Sequence, residues 1–385
     1  MKEKIKRGLF LFMLLVLFLP LVQQSFHLFD GIKLYGKFDQ APDIDFSIGK
    51  WWSGTYWDWK SKYVNDAVGL RPVMIKTNNQ VNFSLFGKIP LSIPPPKDDY
   101  LFYYSFIWAY SGRDYLGMHR IITSAEKLKA VQDTMKKAGK SLILVCAPGK
   151  AFFYPEYLQS IYQNPAKKPT NYAIYTKVAD SLGINMIDFN AWFLAIKGKT
   201  KDLLFTRSGI HWSTYGAMLA ADSLVNYMEN LRHIKMRHPV WANVEHTNTA
   251  KYADDDIVKC CNFFFPYTKE VYSYPDISYP LQNYMVRPKT VYIGDSFTEM
   301  WIFEHFMDKV NVDWKFWYYF REIWDVYDQD ESARKRTLAG DEWLGDINSA
   351  DYVVLVYTAS NFSNVGSGFI EKAYDHYFPA SPILD

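Results

Sequence analysis

The stretch Thr290-Val291-Tyr292-Ile293-Gly294-Asp295-Ser296-Phe297-Thr298-Glu299-Met300-Trp301 decides the fold. Its first four residues form a short apolar run of the kind that makes a buried strand. Residues 298–303 read as the opening of a helix, and Gly294-Asp295-Ser296 is the turn between the two. A strand, a tight turn and a helix present a serine hydroxyl at the carboxyl end of a parallel strand. There the N–H groups and positive dipole end of the helix favour a developing oxyanion. A serine hydroxyl is a weak nucleophile until a base takes its proton. Upstream, Gly209-Ile210-His211-Trp212 supplies one. Ser296 as nucleophile and His211 as general base point to acyl transfer or ester hydrolysis.

Outward from this stretch, the pattern alternates between helix and strand. Helical spacing runs over 122–138, 172–182 and 214–231, and apolar strands over 141–146, 184–189 and 352–357. Strands separated by helices predict an α/β fold whose central parallel sheet carries helices on both faces. Residues 232–288 read as loop. Residues 30–100 read as an irregular, aromatic lead-in with a helix over 65–78, Trp51, Trp52, Trp57 and Trp59 close together, and the connector Pro94-Pro95-Pro96 at its end. The organisation expected is residues 1–29 as a signal segment, 30–100 as lead-in, and 101–385 as the main domain.

At the N-terminus Lys2, Lys4, Lys6 and Arg7 precede an apolar run over residues 9–22. Positive charge before such a run predicts a cytoplasmic start and an extracytoplasmic body. The run suits a signal h-region, and no small-x-small cleavage site follows it. An uncleaved anchor in the inner membrane is favoured over a cleaved signal peptide.

The chain has 385 residues, 49% of them hydrophobic, enough for a sizeable core. A net charge of +2 gives no footprint for nucleic acid. The 18% aromatic content is read first as an aromatic-rich core, and second as a sugar-binding groove with Trp212 at its rim. Cys146, Cys260 and Cys261 match neither a disulfide framework nor a zinc site. No cofactor or metal is expected, and the Asp254-Asp255-Asp256 run reads as a solvated turn. Asn361, just after the last strand, is a candidate oxyanion donor beside the Ser296 N–H.

The block Ala147-Pro148-Gly149-Lys150-Ala151-Phe152-Phe153-Tyr154-Pro155-Glu156 resembles the segment after the first core strand of the alginate O-acetyltransferase J and X proteins. So do Gly69-Leu70-Arg71, Asn171-Tyr172, Ile187-Asp188-Phe189, and the order of the histidine motif before Gly-Asp-Ser. The resemblance, spread over roughly residues 35–360, implies an SGNH-hydrolase-like three-layer sandwich. It implies an extracytoplasmic enzyme moving an acetyl group onto a polysaccharide, with a multi-span membrane O-acyltransferase as donor partner. Lys150 matches the family block and would contact an anionic sugar, with a solvated loop lysine as the competing reading.

One position departs from the family. Its histidine motif is Asp-x-His-Trp, and here Gly209 stands where the aspartate orients the imidazole. Another carboxylate (Asp188, Asp202 or the Asp254-Asp255-Asp256 run) takes over, a backbone carbonyl holds the ring, or the protein is a non-catalytic relative. A carbohydrate esterase and a glycan-binding assembly subunit are the alternative functions.

Overall fold

A computed structural model of the chain describes residues 2–36, 41–67, 69–91, 93–163, 168–265, 269–324 and 336–379. It divides into two units, Met1–Leu91 with Ile257–Tyr267, and Ser92–Asp256 with Thr268–Asp385.

The first unit is helical: Lys2–Phe26, Ile48–Trp52, Thr55–Ala67 and Arg71–Phe86. Residues 48–64, read as irregular from sequence, are therefore largely helical, and the helix expected over 65–78 overlaps the end of the third helix and the first half of the fourth. The breaks follow local chemistry. Gly54 takes a positive φ of 79° between the second and third helices, and Pro72 sits in the first turn of the fourth, where its missing N–H costs nothing. The second, third and fourth helices bury no residue completely. Their aromatic rings pack on one another instead, as in the edge-to-face pair Trp51–Trp52 at 5.2 Å. Trp52 is 78% exposed. In the helix Lys2–Phe26 the apolar residues from Leu9 to Leu19 are largely exposed. Among the described residues no helix is long and apolar enough to cross a membrane.

The second unit carries the strands, in chain order β1 (Ser141–Ala147), β2 (Met186–Asp188), β3 (Val244–Thr247), β4 (Tyr272–Pro275), β5 (Lys289–Gly294), β6 (Asp313–Tyr318), β7 (Glu322–Trp324), β8 (Arg336–Thr337) and β9 (Tyr352–Thr358). The main sheet has the order β2-β1-β9-β5-β6-β7-β8. It is parallel from β2 to β6, with β7 and β8 added antiparallel at one edge. The register sets Ser141 and Thr290 beside Tyr352, and at the carboxyl ends Ala147 lies beside Thr358 while β5 ends two residues earlier, with Gly294 beside Val356.

Side chains alternate between two apolar layers because successive residues of a strand point to opposite faces. Ile143, Val145, Tyr292, Val354 and Val356 pack on one face with residues of the helices Thr214–Arg232 and Glu299–Phe303. Leu142, Leu144, Val291, Ile293 and Leu355 pack on the other with the helices Met118–Lys137, Asn171–Leu182 and Phe369–Tyr377. With both faces covered, β1 and β9 read as continuous buried runs rather than alternating ones. Trp212, Trp301, Trp317 and Trp343 are fully buried, so much of the aromatic content is core.

The expected helices over 122–138, 172–182 and 214–231 lie within one to four residues of the observed ones. The strand expected over 184–189 shrinks to β2, because Asp188 caps the next helix, Phe189–Ile196, by accepting from Ala191 N at 2.9 Å. The stretch read as loop over 232–288 holds the antiparallel pair β3–β4 and the helix Asp256–Cys260. It also holds the site's third side chain.

Candidate active site

Ser296 opens a 3-10 turn, Ser296–Thr298, at the carboxyl end of β5. The turn is fixed by its two predecessors. A Cβ on Gly294 would collide with the Val356 carbonyl of β9, so this close approach admits only glycine. Asp295 is buried and caps the turn, accepting from Phe297 N at 3.1 Å through Oδ1. Its Oδ2 accepts from Thr358 N at 2.8 Å and from the Asn361 amide at 3.4 Å. One carboxylate thus ties the Ser296 turn to the exit of β9. Burial pushes the Asp295 carboxyl up to about 6, against the opposing backbone hydrogen bonds from Thr358 and Phe297.

His211 reaches this turn from the loop 206–211. Phe205 and Trp212 pair as an antiparallel bridge and Ser213 N donates to Leu204 O at 2.9 Å, closing the loop at its base. His211 Nε2 lies 2.7 Å from Ser296 Oγ, across 85 positions of sequence. On the far side of the ring, Nδ1 lies 2.9 Å from Asp256 Oδ2, with the carboxylate off the straight line of an N–H bond. Asp256 Oδ1 accepts from Ile210 N at 2.8 Å, which fixes the carboxylate's orientation from within the histidine loop. A carboxylate behind Nδ1 places the ring proton there and leaves Nε2 to accept from the serine. Burial lowers the imidazolium's pKa, but the close carboxylate of Asp256, with the charges of Glu299 and Asp295, outweighs it. The net shift is upward from the ordinary value.

Residues 96–263 match the family model described as the SGNH hydrolase-like domain of the acetyltransferase AlgX. The match spans less than half of the chain and marks a similarity to that acetyltransferase domain. The matched region includes His211 and Asp256 and ends before Ser296. Among solved structures, the O-acetyltransferase domain of Pseudomonas putida AlgJ is similar at 16% identity and a TM-score of 0.47, covering 74% of this chain and 100% of that one. Pseudomonas aeruginosa AlgX is similar at 13% and 0.43, covering 72% and 67%. Bacillus cereus PatB1 is similar at 11% and 0.40, covering 64% and 91%. No curated protein matches the chain. At identities this low, residue roles rest on the geometry of the site itself.

That geometry corrects several expectations. Neither Asp188 nor Asp202 orients His211. Asp188 accepts from Tyr172 Oη at 2.8 Å and caps a helix. Asp202 pairs with His246 Nε2 at 2.6 Å and accepts from Ser273 Oγ at 2.7 Å. The ring is held by Asp256, and its run is no solvated turn. Asp254 is buried, accepts from Thr214 N and Oγ1, each at 3.1 Å, and is pushed up to about 7 chiefly by burial.

Trp212 is not at a groove rim. It is fully buried, and its indole N–H donates to Phe297 O at 3.1 Å, joining the histidine segment to the residue after Ser296. Lys150 contacts neither open solvent nor an open sugar site: it is fully buried. Its ammonium donates to Leu101 O at 2.9 Å, Arg207 O at 2.8 Å and Gly209 O at 2.5 Å. Asn361 does stand at the site, with its amide directed to Asp295. His238 pairs with Asp222 and His305 with Asp308, both away from Ser296. Among the described residues no group of His, Cys, Asp and Glu side chains is arranged to hold a metal ion.

Gly209 has no room for the family's aspartate. A Cβ there would stand 2.6 Å from Asp254 O, 2.9 Å from Thr206 Oγ1 and 3.0 Å from Ala253 O. Because the neighbours are mostly backbone, they cannot yield cheaply. Gly209→Asp is expected to lose about 1–3 kcal/mol of stability to overpacking, and to gain no rate, since Asp256 already occupies the far side of the ring. Urea denaturation and acetyl-ester turnover check the two halves separately. A faster and equally stable Gly209→Asp would show that the ring lacks support in the native chain.

Proposed function

We propose that this protein is an extracytoplasmic O-acyltransferase, moving an acetyl group onto a polysaccharide hydroxyl through a Ser296 acyl-enzyme. The observation that carries the reading is the contact of His211 Nε2 with Ser296 Oγ at 2.7 Å, backed by Asp256 at 2.9 Å from Nδ1.

In the first half-reaction His211 Nε2 takes the Ser296 proton as Oγ attacks the donor's acyl carbon. The resulting imidazolium, stabilised by the Asp256 carboxylate, returns that proton to the departing group. The acyl group is left as an ester on Ser296. In the second half, an acceptor hydroxyl attacks the ester, its proton passes to Nε2, and then to Ser296 Oγ as the ester bond breaks. The Ser296 N–H at the start of the 3-10 turn and the Asn361 amide are the proposed donors to the oxyanion in both halves. The AlgX family match supports the acetyl chemistry. The resemblance to the alginate O-acetyltransferases supports a polysaccharide acceptor and a multi-span membrane acyltransferase as donor. The basic N-terminus ahead of an apolar helix supports an extracytoplasmic, inner-membrane-tethered location.

The test is covalent labelling with a fluorophosphonate, followed by mass spectrometry of the labelled peptide. Fast phosphonylation needs both an activated hydroxyl and oxyanion donors, so wild type is expected to carry the adduct on Ser296 within minutes. An inert wild type that binds polysaccharide would favour the assembly-subunit reading. Acetyl-ester turnover that goes only to water, with no oligosaccharide acceptor competing, would favour the esterase.

A further inference from the structure

The loop that carries His211 is gripped from both edges by buried charged groups. On one edge, Lys150 Nζ meets the carbonyls of Arg207 and Gly209, and also that of Leu101. On the other, the Glu270 carboxylate accepts from Arg207 N at 2.7 Å, Ser208 N at 3.4 Å and Ser208 Oγ at 2.9 Å. Both side chains are buried, Lys150 completely and Glu270 to 7% exposure. Each binds Arg207, one through its carbonyl and the other through its N–H. A cation on the C=O side and an anion on the N–H side polarise the same run of peptide groups in the same sense.

Three carbonyls within 2.9 Å call for three N–H donors. A neutral amine has two, so the geometry requires the ammonium. Burial draws Lys150 down to about 7, with the charges of Glu270 and Asp256 holding it up. The three carbonyls favour the charged form further. A buried ammonium without such partners would lose its proton. The rings of Phe102 and Tyr100, 5.2 and 5.9 Å from Nζ, give it electron-rich faces as well.

We infer that Lys150 and Glu270 form a positioning pair for His211, an ammonium and a carboxylate that clamp the 207–209 peptides and so fix the imidazole between Ser296 and Asp256. Asp256 makes the direct ring contact that a motif aspartate two residues before the histidine would make, and the pair holds the backbone of the segment where that aspartate is missing. Neither residue touches the reacting atoms. Thr206 adds to the same grip, with Oγ1 donating to Asp254 O at 2.6 Å and accepting from Gly209 N at 3.0 Å.

This inference rests on the Ser296 acyl-enzyme reading for its kinetic arm, and has a second arm that does not. Lys150→Met keeps the unbranched stem as far as Cε and removes the ammonium with its three donors. Glu270→Gln keeps the shape and removes the opposing charge. On a p-nitrophenyl acetyl ester, Lys150→Met is expected to lower kcat about 100-fold, the scale of a misplaced catalytic group, with KM within twofold of wild type. Glu270→Gln should lower kcat by about 10-fold. The double variant should lose little more than Lys150→Met alone, because the two act on one loop.

The second arm is an NMR titration of the His211 ring in full-length protein with labelled histidine. In wild type the Nδ1 proton facing Asp256 should give one slowly exchanging resonance, and in Lys150→Met it should broaden or vanish. A folded Lys150→Met with kcat within twofold and an unchanged Nδ1 resonance overturns the clamp. Should Lys150→Met not fold, Glu270→Gln decides on the same two readouts, unchanged values again overturning it. If wild type does not turn over the ester, the acyl-enzyme reading has failed while the ring resonance still reports on the clamp.

Discussion

Asp256→Asn is expected to lower kcat for acetyl-ester turnover about 10⁴-fold, the scale of loss when a triad carboxylate becomes an amide. The reason lies in which oxygen is replaced. Asp256 Oδ1 accepts from Ile210 N at 2.8 Å, a position that only an oxygen can fill. An asparagine would keep its carbonyl there and turn its NH₂ toward His211 Nδ1, where Oδ2 now stands at 2.9 Å. That NH₂ donates, so Nδ1 must accept and the ring proton moves to Nε2. Nε2 then donates to Ser296 Oγ and can no longer take its proton. KM and the melting temperature should change little, which separates this loss from unfolding. The pH profile gives an independent readout. In wild type the Asp256 charge helps to hold the imidazolium pKa above the usual ~6.5. A general base works only when neutral, so activity is fully present above that raised pKa and lost as pH falls through it. Removing the carboxylate's charge destabilises the imidazolium, and the acid limb should move to lower pH in Asp256→Asn. An unmoved limb and a loss below tenfold would mean that another group holds the ring.

Much of this site is written in local sequence because much of it is local structure. A buried strand, a Gly-Asp-Ser turn and a helix are each short-range features, and their sum places Ser296 at the carboxyl end of β5 without any long-range contact. His211 is legible for a similar reason, lying just ahead of a long helix whose N-cap, Ser213, follows it two residues later. Asp256 is not. It lies 46 positions beyond the Ile210 N–H that holds it, in a stretch whose elements run only four or five residues, too short to show a hydrophobic period. Its position is set by where the chain returns, and no pattern around residue 256 announces that.

The role of Lys150 is not legible in the sequence for a related reason. A lysine after a strand is ordinarily solvated, and only the folded chain brings three carbonyls from two distant segments onto one nitrogen. Trp212 illustrates the opposite error. Adjacent residues in extended chain point to opposite sides, so if His211 faces the cleft its neighbour must face the core. That signal was available in the sequence. So was the capping role of Asp188, which stands three residues before the Ala191 N–H it accepts from.

Ser296→Ala is expected to abolish turnover, lowering kcat by about 10⁶-fold, the scale set by removing the serine of a cooperating nucleophile and base. The more discriminating expectation concerns what happens next. If Ser296, His211 and Asp256 act as one unit, adding His211→Ala or Asp256→Asn to Ser296→Ala should cost almost nothing further. The base has no proton to take once the hydroxyl is gone, and its orienting carboxylate has no base to serve. Whatever rate remains above the uncatalysed reaction then measures the oxyanion donors and substrate binding alone. That remainder should fall in Ser296→Ala/Asn361→Ala, because the Asn361 amide stands beside the turn through its contact with Asp295 rather than through the histidine. Stability should stay close to wild type in Ser296→Ala, since the Asp295 cap, the Thr358 bond and the Gly294 approach that build the turn involve no serine side chain. A Ser296→Ala protein that still turns over the ester within tenfold of wild type would move the nucleophile elsewhere. Further losses that multiply, with each added substitution costing its full single-variant factor, would show that His211 and Asp256 act on some other step.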